Sequence, residues 1–186
     1  MLFIKGVGYI ILGNVMCLFM TMGLAMFGGN LFTDILSIAC GTAIFFMLIF
    51  TVAWKDGTLE RNLMKNHRVD SPLKYRWILI GLAMFAVAAA PSVVLLLNKL
   101  FFPQEDTFFL YRFISGSAFP FIMTFVPSVV TESEVWVPTT LRQMDLMSPL
   151  FPALMTGYYA LIPAVTQLGY WMGYNDKLNT DKIMYQ

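Results

Sequence analysis

Long runs of apolar residues, separated by short polar stretches, dominate this chain. Five runs have the length of a membrane segment, and they cover residues 3–27, 31–54, 72–102, 107–130 and 149–174. About 20 apolar residues, each rising about 1.5 Å, are needed to cross a hydrocarbon core of about 30 Å. Apolar residues occupy all sides of these runs, which excludes amphipathic surface helices. The pattern predicts an all-α fold, a polytopic transmembrane helix bundle of about five membrane segments, formed as a single integral membrane domain over residues 1–186.

Composition and charge agree with this prediction. Of the 186 residues, 58% are hydrophobic and 12% are charged, whereas about 25% of the residues of a typical soluble domain are charged. A net charge of +1 excludes the basic surface that binding of nucleic acid requires. The two cysteines, Cys17 and Cys40, both lie inside apolar runs, so we expect small packing residues and no disulfide.

The fourth run is the least regular of the five. It contains the sequence Ser115-Gly116-Ser117 and is interrupted further by Pro120 and Pro127. Irregular backbone at membrane depth is tolerated only where it is buried in protein or lines a water-filled cavity. The run is therefore either a proline-kinked span that crosses fully or a broken, re-entrant segment of the kind that forms solute sites in transporters.

Positive charge is concentrated between the end of the second run and the start of the third. Half of the 12 basic residues of the chain belong to this region: Lys55, Arg61, Lys65, Arg68, Lys74 and Arg76. By the positive-inside rule, the loop predicted at 55–71 and the N-terminus are cytoplasmic, in a multi-pass protein of the cell membrane. The balance of basic residues mildly favours a re-entrant fourth run, whereas its length favours a full crossing, and we expect five crossings.

Three basic residues of the predicted loop, Arg61, Lys65 and Arg68, are candidate contacts for anionic lipid or for a partner protein. Leu59 and Leu63 are spaced four residues apart among them, as on the apolar face of a short interfacial helix. The predicted partners are therefore the lipid bilayer and other membrane protein subunits.

Five polar side chains within the apolar runs are candidate ligand or interhelical contacts: Asn14, Ser115, Ser117, Tyr158 and Gln167. An amide or hydroxyl group in the hydrocarbon core needs a hydrogen-bond partner on another helix. Asn14 and Gln167 lie well inside the first and fifth runs, so each either joins two helices or coordinates a polar ligand or an ion.

Small residues recur at four-residue spacing in the second run, as Ser37 with Gly41 and as Ala39 with Ala43. This spacing allows two helix backbones to approach closely in lipid. The sequence therefore predicts close helix packing along the second run.

Three charged residues, Asp34, Lys99 and Arg112, lie near the predicted external ends of their runs. Long basic side chains at such positions reach the headgroup region. We expect solvated charges here, with an ion pair between Asp34 and one of the two basic residues as the alternative.

Motifs for catalysis are absent from the sequence, which has a single histidine, His67, and neither an H-E-x-x-H, a G-x-S-x-G nor a P-loop pattern. We therefore expect no catalytic, cofactor-binding or metal-binding residues, and a protein that is not an enzyme. The favoured function is a non-catalytic subunit or accessory component of a membrane complex. The alternative is a small solute transporter, or the substrate-capturing membrane component of a transport system, with a small molecule as substrate.

Overall fold

The structure is a computed structural model that describes residues 2–26, 30–67, 75–102, 107–126 and 139–175. Its helices are α1 (Leu2–Ala25), α2 (Leu31–Lys65), α3 (Arg76–Phe101), α4 (Thr107–Ile114), α5 (Phe119–Phe125), α6 (Thr139–Leu146), α7 (Leu150–Tyr159) and α8 (Ile162–Tyr174). A 3₁₀ turn, Gly116–Ala118, joins α4 to α5. The described ranges contain no strand, which confirms the all-α prediction.

Three helices, α1, α2 and α3, are long and apolar enough to cross a membrane. The pair formed by α4 and the following 116–125 segment meets the same criteria only when it is taken as one bent unit. The structure therefore has three or four candidate spans by length and composition.

Helix α2 is longer than predicted, because it continues from Trp54 to Lys65. The prediction of a loop at 55–71 is corrected for residues 55–65, and the expected short surface helix around Leu59 is the last part of α2. Residues 58–65 are mostly good helix formers and contain no proline. The weakest helix former in the extension is Gly57, and it packs against the backbone of α8, where a Cβ atom would overlap the carbonyl oxygen of Tyr170.

Helices α2 and α8 pack closely and run in the same direction. A Cβ atom on Gly169 would come within 2.7 Å of the carbonyl oxygen of Phe50, and one on Gly173 would overlap the carbonyl oxygen of Trp54. The contact advances by four residues on each helix, as expected for parallel helices. Gly169 and Gly173 form a small-xxx-small motif that allows this backbone approach, and the sequence analysis missed it.

Helices α1 and α3 run opposite to their neighbours. Gly13 of α1 packs on the ring of Phe45 in α2, and Met20, later in α1, packs on Gly41, which comes earlier in α2. Helices α1 and α2 are therefore antiparallel. Gly81 of α3 lies against Thr166 of α8. Ile78, which comes earlier in α3, lines a groove with Trp171, which comes later in α8, so α3 and α8 are antiparallel.

The fourth run forms a V, because α4 and the 116–125 segment are bent by 94° relative to each other. Ser115 leaves the helical conformation, with φ −101° and ψ 59°, and the 3₁₀ turn begins at the next residue. The tip of the V lies against the middle of α1, where a Cβ atom on Gly116 would overlap the carbonyl oxygen of Asn14.

Both arms of the V lead back to the same end of the bundle. The first arm begins beside the C-terminal end of α3, where Asn98 Nδ2 donates to Thr107 Oγ1 over 2.7 Å. The second arm ends near Met123, which lines a crevice of about 110 Å³ together with Ala25 at the end of α1 and Thr33 at the start of α2. The V therefore enters the bundle and leaves it on one side.

The two small-residue pairs of α2 face in different directions. Ser37 and Gly41 are buried, and the thiol of Cys17 donates to the carbonyl oxygen of Gly41 over 3.2 Å. Ala39 and Ala43 are exposed on the outer surface of the bundle. Both cysteine thiols are free.

Candidate functional site

The two interrupted segments of the chain meet at a polar cluster formed by Asn14, Ser117 and Tyr159. Asn14 Oδ1 accepts hydrogen bonds from the backbone N–H of Ser117 over 2.8 Å and from its hydroxyl over 2.7 Å. The hydroxyl groups of Ser117 and Tyr159 lie 3.0 Å apart. Ser117 and Tyr159 are buried. One amide of α1 thus holds the tip of the V, and the tip in turn holds the end of α7.

Two further hydroxyl groups near this cluster have no hydrogen-bond partner within the described part of the chain. They belong to Ser115, which is buried, and to Tyr158, which is half-buried. The ring of Tyr158 packs against the rings of Phe46 and Phe121, with centroid distances of 5.1 and 5.3 Å. Tyr158 is therefore held mainly by aromatic packing, and its hydroxyl group, which lies near the side chain of Thr42, makes no hydrogen bond of normal geometry.

Gln167 lies apart from the polar cluster. It lines a groove of about 470 Å³ between α3 and α8, together with Ile78, Pro163 and Trp171. The sequence analysis treated Gln167 and Asn14 as equivalent amides, but only Asn14 belongs to the cluster at the helix interruptions.

A second groove, of about 800 Å³, runs between α5 and α7. Its lining is apolar and aromatic apart from Ser148 and Tyr158, and includes Phe121, Phe125 and Phe151. These two grooves lie beside α7 and α8 and offer few polar groups to a ligand.

A cluster of charged groups joins α2, α3 and α8 at the opposite end of the bundle from the open side of the V. Arg76 Nη2 donates to the carboxylate of Asp56 and, over 3.3 Å, to Glu60 Oε2. Trp77 Nε1 donates to Asp56 Oδ2 over 2.8 Å, and Tyr170 OH donates to Glu60 Oε2 over 2.9 Å. Glu60 is only 7% exposed. Arg76, Trp77 and Tyr170 thus bring one guanidinium group and two neutral donors to the two carboxylates.

Sequence reasoning missed this cluster, because it assigned Asp56 and Glu60 to a solvated loop and used Arg76 only in the count of basic residues. The signal that could have revealed it is the four-residue spacing of the two acids, which puts them on one face if the helix continues. Of the candidate lipid contacts nearby, Lys65 is exposed and Arg61 is partly buried, and Arg68 lies outside the described residues.

The sequence analysis gave an ion pair between Asp34 and either Lys99 or Arg112 as an alternative, and these residues do not form such a pair. Lys99 Nζ donates to the carbonyl oxygens of Met144 and Asp145 over 2.5 and 2.8 Å, at the end of α6. Asp34 lines the crevice between α1, α2 and α5. The alternative of an ion pair between Asp34 and Lys99 or Arg112 is therefore wrong.

Arg112 lies inside the V. Its guanidinium carbon is 5.9 Å from the centre of the Phe108 ring on α4 and 5.7 Å from that of Phe119 on α5. Its Nη1 is 3.4 Å from the side-chain oxygen of Gln143 on α6. Arg112 thus touches three helices through two aromatic rings and one amide.

Comparison with protein-family models, curated proteins and solved structures finds no match to this chain. In the part of the chain that the structure describes, no group of three or more His, Cys, Asp or Glu side chains could hold a metal ion. Any functional assignment therefore depends on the geometry of the bundle itself.

Proposed function

We propose that this chain is a non-catalytic integral membrane protein that acts as a subunit or accessory component of a membrane complex. The observation that supports this best is the outer face of α3, where Ala83, Ala86 and Ala90 are exposed side by side. Small residues on the outside of a membrane helix allow the backbone of another helix to approach. The interior polar groups Asn14 and Ser117, by contrast, are bonded to each other.

The membrane arrangement that we propose has five segments. Four of them cross the membrane, and the remaining one, the fourth along the chain, is a re-entrant hairpin. Helix α1, helix α2, helix α3 and the α7–α8 pair are the crossings. The parallel packing of α2 and α8 supports this arrangement, because parallel helices cross in the same direction. The V of α4 and α5 then enters and leaves on one side, and the sequence-based preference for five crossings is replaced.

The orientation that we propose follows from the basic residues between α2 and α3. These residues favour the cytoplasmic side, and the antiparallel packing of α1 on α2 brings the N-terminus to that side. The end of α8 joins them, since the hydroxyl group of Tyr174 lies 3.1 Å from the sulfur of Met64 near the end of α2. The open end of the V faces outward.

Cysteine labelling tests this arrangement. In a Cys17→Ala/Cys40→Ala background, single substitutions Asn66→Cys, Asn175→Cys and Phe102→Cys are exposed to a membrane-impermeant maleimide on intact cells. We expect labelling of Phe102→Cys, and labelling of the other two only after the cells are permeabilised. Labelling of Asn175→Cys on intact cells would support the fully crossing fourth segment instead.

Native purification tests the role as a subunit. The tagged protein, extracted from its own membrane in mild detergent, is expected to carry a partner at fixed stoichiometry in native mass spectrometry. Ala86→Leu is expected to remove this partner, whereas Ala43→Leu, the same change on the outer face of α2, retains it. A partner-free monomer from the native membrane, or a partner that survives Ala86→Leu, contradicts the proposal.

A solute transporter, or the substrate-capturing component of one, is the second candidate. The observation that favours it is the meeting of two interrupted helical segments at Ser117 and Tyr159, since transporters build solute sites where helices are interrupted. Uptake or retention of a co-purified small molecule is expected to be lost in Asn14→Leu and kept in Gln167→Leu. Equal loss in both variants, or no bound molecule, argues against this candidate.

A further inference from the structure

We propose that Arg112 binds an anionic phosphate group inside the V formed by α4 and α5. The guanidinium group is held by the Phe108 ring on one arm and the Phe119 ring on the other. Within the described residues its one hydrogen-bond acceptor is the amide oxygen of Gln143 at 3.4 Å, and no carboxylate contacts it. The guanidinium N–H groups that Gln143 does not use remain available to a further anionic or polar group.

Two other cations of the described bundle, Arg76 and Lys99, bond directly to carboxylate or carbonyl oxygens. Arg76 is bonded to the carboxylates of Asp56 and Glu60, and Lys99 is bonded to two backbone carbonyl oxygens. Arg112 differs from both because its strongest contacts are with ring faces. Such contacts fix the guanidinium plane without using its N–H donors.

The chemistry of the free donors indicates the ligand. A guanidinium group carries five N–H donors in a planar fork, which matches two oxygens of one phosphate. Arg112 is only partly buried, so a ligand can reach the guanidinium group. Two sources supply this chemistry, namely a lipid headgroup and a soluble phosphate.

The two sources differ in what they require of the protein. Binding of a lipid phosphate rests on the proposed membrane arrangement, in which Arg112 lies between the tip of the V and the outer headgroups. Binding of a soluble phosphate requires only that the site opens to water. Titration of purified protein in a neutral detergent measures binding without depending on the membrane topology. The labelling of Asn175→Cys tests the proposed membrane arrangement separately, so failure of one proposal can be told from failure of the other.

The probes are dihexanoylphosphatidylglycerol, dihexanoylglycerol as the phosphate-free lipid, and inorganic phosphate, with thermal stability and tryptophan fluorescence as readouts. We expect phosphatidylglycerol to stabilise the protein and dihexanoylglycerol to have no effect. Arg112→Gln should weaken phosphatidylglycerol binding about tenfold or more, because a charge-assisted hydrogen bond is lost. Arg112→Lys, which keeps the charge but not the fork, should give an intermediate affinity.

The matched control is Lys99→Gln, which removes one positive charge at the same end of the bundle. Since Lys99 is already bonded to α6, this variant should bind the lipid phosphate like the parent protein. Competition by inorganic phosphate at the same site supports a soluble ligand, and its failure to compete supports a lipid headgroup. Absence of binding to both phosphate probes, or equal weakening by Lys99→Gln and Arg112→Gln, overturns the proposal.

Discussion

The hydroxyl oxygens of Ser117 and Tyr159 lie 3.0 Å apart, and this contact joins the two interrupted segments of the chain. Ser117 belongs to the 3₁₀ turn at the tip of the V, and Tyr159 is the last residue of α7. Where a helix is interrupted inside a bundle, its backbone groups need partners from elsewhere. Asn14 supplies such a partner by accepting the backbone N–H of Ser117.

Replacement of Asn14 should therefore destabilise the bundle. Asn14→Leu leaves the buried N–H and hydroxyl groups of Ser117 without their acceptor, and each unsatisfied buried group costs about 1–3 kcal/mol. Unfolding of the purified protein in mixed detergent micelles measures the loss. Val15→Leu is the control, because Val15 is exposed on the same helix, and an Asn14→Leu variant as stable as this control would contradict the expectation.

Two adjacent tyrosines should respond differently to removal of the hydroxyl group. Tyr159→Phe breaks the contact with Ser117 and should cost about 1 kcal/mol. Tyr158→Phe should be close to neutral, because the hydroxyl group of Tyr158 makes no hydrogen bond of normal geometry and its ring contacts remain. Thermal unfolding of the two variants side by side tests this order, and a larger loss in Tyr158→Phe would refute it.

The parallel packing of α2 and α8 should depend on glycine. Gly173→Ala brings a Cβ atom into the carbonyl group of Trp54, and such overpacking costs about 1–3 kcal/mol. Gly157→Ala is the matched control, since the space around Gly157 is open and alanine favours a helix by up to about 1 kcal/mol. Detergent unfolding should rank the control at or above the parent protein, and equal behaviour of the two variants would argue against the close contact.

Removal of Arg76 should uncover repulsion between Asp56 and Glu60. Because the Arg76 side chain is 29% exposed, we expect Arg76→Gln to cost less than the about 3–5 kcal/mol of a fully buried broken pair. Glu60→Gln should restore part of the stability in the Arg76→Gln background, because only one carboxylate then remains charged. A double-mutant cycle measures the coupling between Arg76 and Glu60, and strictly additive losses would show that these two groups do not interact.

Two of the polar residues that the sequence singled out, Asn14 and Ser117, lie in the polar cluster, and the rest of the cluster was missed for a definable reason. Asn14 and Ser117 stand out because amides and serines are unusual within apolar runs. Tyr159 was missed in favour of Tyr158, since adjacent residues point in different directions and only the packing of α7 decides which one faces the tip of the V. The acids of α2 were missed because the helix was expected to end at Trp54.

The apolar runs by themselves determined the all-helical class of this protein and the approximate places of its long helices, because burial of backbone polar groups in apolar surroundings requires helices. Local patterns do not record which helices become neighbours. The parallel contact of α2 with α8, the return of the V to its own side and the shared arginine between two acids were decided only by the tertiary structure. Each depends on residues far apart in the chain, joined by close glycine packing or by hydrogen bonds that form only once the helices have assembled.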